Sequence, residues 1–141
     1  MSQPAIHPET ESADTAQTDW RAQEMLLLQQ VMGLIGRSLA SDLVLREMLH
    51  LMSELLGLNR GRIVLRDETG ETCSIRHAYG LTREEVARGV YRLDEGVTGT
   101  VMAREHLVIV QDIDREEIFL GRAVNRARLP PGPVAFIALP L

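Results

Sequence analysis

The sequence predicts an α+β fold, and three observations predict it. Residues 20–56 carry apolar residues at helical spacing, and residues 60–79 alternate as a β-hairpin does. Two short apolar runs, 107–110 and 134–139, have the length of buried strands. With 141 residues, 45% of them hydrophobic, the chain is large enough for one packed core. A net charge of −5 argues against a nucleic-acid surface. All 15 basic residues are Arg, whose planar fork clamps carboxylates better than Lys does. The single cysteine, Cys73, leaves no disulfide framework or cysteine metal cluster within the chain. No apolar run has membrane-spanning length and no signal peptide precedes residue 20, which predicts a cytoplasmic protein.

Residues 1–19 lack hydrophobic periodicity and are rich in Ser, Thr, Pro and acid, so a disordered polar tail is expected. The globular domain is expected over 20–141. Its first helix runs from Trp20 to Leu39. Met25, Leu28, Met32, Ile35 and Leu39 form a heptad seam, and Leu27, Val31 and Leu34 a second apolar row. Such a helix can face its own core with one row and a second copy with the other. An ordinary packed helix explains the same pattern. Ser41 and Asp42 open a second helix, Leu45, Met48, Leu49, Met52, Leu55 and Leu56 line its apolar face, and Gly57 stops it.

Arg60 to Arg66 is a half-buried strand with Ile63 and Leu65 inward, and 67–70 is the hairpin loop. Glu71 to Tyr79 returns with Cys73, Ile75, His77 and Tyr79 on one face. Thr82 and Glu85 make a capping box for a short helix that Gly89 ends. Cys73 reads as a small buried residue, since no local motif activates it. His7, His50, His77 and His106 show no metal-ligand spacing, and His50 sits one turn from Glu54.

The stretch from Tyr91 to Asp112 organises the remainder. Asp94, Glu95 and Gly96 are turn residues, Val97 to Arg104 a short helix with Val97 and Val101 on one face, and Leu107 to Val110 a strand covered on both faces. Gly99 inside so short a helix points to close approach of another backbone. The helix N-terminus is either an anion site or a plain connection over the sheet edge. The long segment 111–133 is expected to pack as a lid, anchored by Ile118, Phe119, Leu120, Val124 and Leu129. Its Arg122, Arg126 and Arg128 are either a positive cluster or partners of the acids between Asp112 and Glu117. Val134 to Leu139 is a buried strand, and a chain end so close to it suggests a fragment.

The segments S-L-A-S-D-L-V-L-R-E-M-L (38–49), L-G-L-N-R-G-R-I-V-L-R-D (56–67), R-G-V-Y-R-L-D-E-G-V-T-G-T-V (88–101), F-L-G-R-A (119–123) and A-F-I-A-L-P-L (135–141) resemble the N-terminal GAF sensor domain of NifA-type activators of nitrogen-fixation genes. The resemblance implies a central antiparallel sheet with helices packed on it, here without the last strands and closing helix. It implies a non-enzymatic regulator of an ATPase module and a DNA-binding module that work with sigma-N RNA polymerase. It also implies 2-oxoglutarate as an effector and a NifL-like inhibitor as a partner in some relatives. No phosphate-binding G-x-x-x-x-G-K-[ST] loop is present in this chain.

Three functions follow from these readings. The first is a ligand-sensing domain, with Thr98 and Gly99 amides taking one carboxylate and Arg104, Arg122 or Arg126 the other. The second is a dimerisation and partner-binding module built on the first helix. The third is an enzyme, which the lone Cys73 does not favour, or a metal-based gas sensor using residue types such as Asp94, Asp112, Arg76 and Cys73. No catalytic or metal-ligating set is assigned.

Overall fold

The computed structural model describes residues 9–37 and 40–141, with side chains described over 19–34 and 40–141. The chain divides into two compact units, Met1–Leu58 and Asn59–Leu141, where the sequence suggested one domain from residue 20.

The first unit is a helical pair, α1 (Glu9–Arg37) packed against α2 (Ser41–Leu56). Residues 9–19, expected to be disordered tail, extend α1; residues 1–8 lie outside the described residues. Once a helix is nucleated, each added residue needs only one more backbone bond to extend it. The two apolar rows of α1 part company. Leu27, Val31 and Leu34 are half-buried, whereas Met25, Leu28 and Met32 are 58%, 54% and 70% exposed. The side chains of Ile35 and Leu39 lie outside the described residues. Ser41 and Asp42 open α2 from inside its first turn, and Ala40 occupies the cap position without a side-chain bond. Gly57 ends α2 in the left-handed region (φ 68°), its N–H donating to the Ser53 carbonyl. His50 Nε2 stands 3.1 Å from Glu54 Oε1, one turn on.

The second unit holds β1 (Gly61–Arg66), β2 (Thr72–Tyr79), α3 (Arg83–Arg88), β3 (Val90–Arg92), α4 (Gly96–Arg104), β4 (Val108–Val110) and β5 (Phe136–Ala138). Strands β1-β2-β3 form one antiparallel sheet, and β4 pairs antiparallel with β5 in another. Helices with antiparallel sheets are the α+β class the sequence predicts. Val97 and Val101 of α4 join Val110 and Ile113 in the core, with Phe119, Leu129, Val134 and Phe136 packed around them.

A bulge decides which side chains share a face. Val64 pairs with Ile75, but its neighbour Ile63 pairs with His77, so Arg76 is an extra residue on β2. Adjacent residues of β1 point to opposite faces, so their partners do too. Cys73 and Ile75 therefore share a face with Arg66 and Val64, and His77 lies on the other face with Ile63. The sequence expectation of Cys73, Ile75, His77 and Tyr79 on one face fails for this reason: one inserted residue inverts everything beyond it. Leu65 is 44% exposed rather than inward.

Strand β4 is also not covered on both faces. Val110 is buried, whereas Leu107 and Ile109 are mostly exposed, as is Ile137, the cross-strand partner of Ile109. The ribbon of β4 and β5 thus buries only its α4-side residues among those described. Segment 111–133 does fold onto the core. Ile113 is buried and donates its N–H to the Val134 carbonyl, Ala123 is buried, and Phe119 meets Phe136 edge-on at 5.3 Å. Ile118 and Leu120, expected as anchors, are about two-fifths exposed or more. Ile118 contributes its backbone instead.

Candidate functional site

The chemistry of the second unit gathers where α4 lies against β3. Gly99 makes that contact possible. A Cβ there would stand 2.3 Å from the Arg92 carbonyl oxygen, and the Gly99 carbonyl accepts from the Asp94 N–H. The close backbone approach read from Gly99 is therefore what the structure shows.

The helix N-terminus is not an open ring of amides. Helix α4 starts at Gly96, one residue earlier than its spacing suggested, with Glu95 at the cap position. Gly99 is then the fourth helical residue, and its N–H donates to the Glu95 carbonyl within the helix. The Val97 N–H donates to the Ile118 carbonyl, 3.1 Å away. Thr98 is buried, and its Oγ1 accepts from Arg62 Nη2 at 3.0 Å.

The three arginines named from the sequence each have a carboxylate. Arg122 Nη1 and Nη2 donate to the two Glu95 oxygens at 3.0 and 2.5 Å, and Nη1 also donates to the Val90 carbonyl. Arg126 grips Asp114 through Nε and Nη2 and reaches the Pro130 and Gly132 carbonyls, both at 2.8 Å. Arg104 lies 3.6 Å from Asp94 with both side chains largely exposed. Arg128, also in the cluster, pairs with the buried Glu85 at 2.9 Å. Pairing is thus the arrangement the cluster adopts, although its acids come from Glu85 and Glu95 as well as from Asp114.

Electrostatics follow this geometry. The Arg122 hydrogen bonds, with the Arg92 N–H second, hold the Glu95 carboxyl down to about 2. Arg126 lowers Asp114 in the same way. The Thr82 N–H lowers Glu85 most, aided by Arg128 and opposed by burial. Burial pushes the Cys73 thiol up, Asp67 adds to the rise, and Arg66 and Arg62 oppose it.

Among the described residues, one half-buried arginine lies between aromatic rings rather than beside a carboxylate. Arg62 on β1 is half-buried, donates to the Tyr91 hydroxyl and to Thr98, and lies over the Tyr91 and Phe136 rings at 5.5 and 5.0 Å. Arg122 lies over the same Tyr91 ring at 5.2 Å. Alternation along β1 puts Arg62 on the face of Val64 and Arg66, which Cys73 and Tyr91 share. A separate pocket of about 180 Å³ is lined by Ile113, Asp114, Phe119, Val124, Arg126 and Leu129 among others. It is smaller than the roughly 300 Å³ at which pockets for drug-sized ligands begin.

Among known proteins, the chain is 30% identical over 118 residues to the Nif-specific regulatory protein of Herbaspirillum seropedicae, covering 84% of this chain and 22% of that protein. It is 33% identical over 93 residues to the nitrogen fixation protein AnfA of Azotobacter vinelandii, covering 66% and 17%. No family model matches the chain. Its fold matches the crystal structure of the A. aeolicus nlh2 GAF domain in an inactive state, with a TM-score of 0.65 and 19% identity, over 73% of this chain and 61% of that one. The chain is a GAF domain of the NifA type. It spans about a fifth of the length of the curated relatives it matches.

Within this GAF domain the sequence named Thr98, Gly99, Arg104, Arg122 and Arg126 as ligand contacts. The structure brings Thr98, Gly99 and Arg122 to the α4–β3 junction, and sets Arg126 apart beside Asp114. Arg62 and Tyr91 were missed. The signal available in the sequence was a pair of arginines, Arg62 and Arg66, on one side of β1 and an aromatic residue in a three-residue strand. Among the described residues, no group of three or more His, Cys, Asp or Glu side chains is placed to hold a metal ion. Among them too, no helix is long and apolar enough to cross a membrane.

Proposed function

We propose that this GAF domain is the regulatory sensor of a cytoplasmic transcriptional activator of nitrogen-fixation genes, and that it responds to a small dicarboxylate such as 2-oxoglutarate rather than catalysing a reaction. The observation that supports it best is identity to named nitrogen-fixation regulators over most of the chain, on a GAF fold. Arg122 and Arg126 are already arranged to grip carboxylates, since each holds one of the chain's own. A ligand carboxylate takes the place of Glu95 or Asp114, and the freed segment 111–133 carries the change outward. In the whole protein that change reaches the sigma-N RNA polymerase and DNA through other domains, and a NifL-like inhibitor acts on the same domain. Thermal unfolding with 2-oxoglutarate tests the reading. At a hundredfold excess over Kd, binding stabilises by about 2.7 kcal/mol, a rise in Tm of roughly 5–15 °C. No rise with a folded sample rejects 2-oxoglutarate as the ligand.

A second reading, a ligand-free dimerisation module, is favoured by one observation. Met25, Leu28 and Met32 line an exposed row on α1 while the neighbouring row is half-buried. A second copy of α1 covers such a row by heptad packing. Light scattering on the purified chain separates monomer from dimer.

A further inference from the structure

Arg62 lacks what five other arginines have. Arg104, Arg115, Arg122, Arg126 and Arg128 each sit within 4 Å of a carboxylate, and Arg62 does not among the described residues. It is nevertheless half-buried, between β1, β3, α4 and the Phe136 ring. Removing a cation from water without an anion is costly, and two neutral hydroxyls and two ring faces offset only part of that.

The cluster is also rich in donors. A guanidinium has five N–H groups, and Arg62 gives one from Nη1 to Tyr91 and one from Nη2 to Thr98. The Tyr91 and Thr98 oxygens accept from Arg62, so each hydroxyl keeps its own proton to donate. Guanidinium N–H groups and two hydroxyls free to donate thus lie together, with no carboxylate within 4 Å of Arg62 among the described residues. That is the complement of a carboxylate, which takes a planar fork in a two-point contact. Glu95 pairs with Arg122 on the same Tyr91 ring, whereas Arg62 has no carboxylate within 4 Å among the described residues.

We propose that Arg62, with the Tyr91 and Thr98 hydroxyls, is the fixed carboxylate anchor of this domain. Its first carboxylate contact displaces no internal acid from Arg62. The inference rests on the sensor reading and deepens it. Arg62 takes the first carboxylate and Arg122, by exchange with Glu95, takes the second.

The test uses the whole chain and follows the arginine Nε–Hε signals by NMR, with 2-oxoglutarate, succinate, inorganic phosphate and chloride at matched ionic strength. The Arg62 signal is the one lost in Arg62→Gln. The expected result is a saturable shift of that signal with 2-oxoglutarate or succinate. Calorimetry is then expected to show affinity lower by roughly ten- to hundredfold in Arg62→Lys, which keeps the charge and loses the fork. Calorimetric binding with an unchanged Kd in folded Arg62→Gln overturns the anchor and leaves the sensor reading standing. Saturation by phosphate in place of the carboxylates overturns the ligand class. Absence of any shift in the folded wild-type chain overturns the anchor, and absence of any heat as well overturns the sensor reading with it.

Discussion

Arg122 holds Glu95 with both terminal nitrogens, at 3.0 and 2.5 Å, across a separation of 27 residues. That one pair fastens segment 111–133 to the cap of α4. Its pH dependence has a definite sign. In the folded chain Glu95 titrates near 2, below its ordinary 4.5, so the unfolded chain takes up the proton first as pH falls. The contribution is complete above about 4.5 and is lost on the way down to about 2. Each side chain is about a third exposed, so solvent screens the pair and the effect is modest. Glu95→Gln is expected to lower the urea midpoint at pH 6, and the gap from wild type is expected to shrink steadily below pH 4.5 and to close only at about pH 2. A gap that stays constant with pH contradicts the pairing.

Gly99→Ala is expected to destabilise strongly, because the new methyl group meets the Arg92 carbonyl at 2.3 Å and backbone cannot step aside. A loss of about 1–3 kcal/mol or more is expected, as for other overpacked sites. Gly70→Ala is the control. Gly70 has φ 74° with nothing within 4 Å, so only backbone strain of about 1–2 kcal/mol applies. Chemical denaturation of the two variants separates clash from strain.

These two sites mark what was legible in the sequence. Gly99, the Val97 and Val101 pair, the Thr82–Glu85 box and Gly57 are local signals, and each is found in the structure at the expected place. The bulge at Arg76 was not legible, because alternation reads the same with or without an inserted residue until the partner strand is known. Arg62 was missed for a related reason. Its partners lie 29 and 36 residues away, and no periodicity in β1 points to them. Arg122 and Arg126 were found by charge clustering, which cannot tell a free cation from a paired one.

Thr82→Ala removes one half of a reciprocal cap. Thr82 N–H donates to Glu85 Oε2 at 2.7 Å, and Glu85 N–H donates to Thr82 Oγ1 at 3.2 Å. A loss of about 1 kcal/mol is expected from the cap alone. Because Glu85 also pairs with Arg128, Arg128→Ala is expected to compound rather than add to it in a double-mutant cycle.

Cys73 has no exposed surface, and burial raises its thiol pKa, so little thiolate is present near neutral pH. A thiol reagent is expected to react in full with the denatured chain and hardly at all with the native one over the same minutes. Fast native labelling contradicts the packing of the sheet against α4.

Met32 is 70% exposed on the free row of α1. If that row is a dimer seam, Met32→Asp is expected to shift the light-scattering mass from dimer to monomer while Tm changes little at low protein concentration. A monomeric wild type at micromolar concentration removes the seam as an assembly surface.

The most direct measurement is a calorimetric titration of 2-oxoglutarate into the folded chain, with succinate and a cyclic nucleotide alongside. The expected result is saturable heat selective for 2-oxoglutarate, with the affinity reduced in Arg62→Gln and in Arg122→Ala. No heat from 2-oxoglutarate, together with an unchanged melting temperature, contradicts a dicarboxylate sensor.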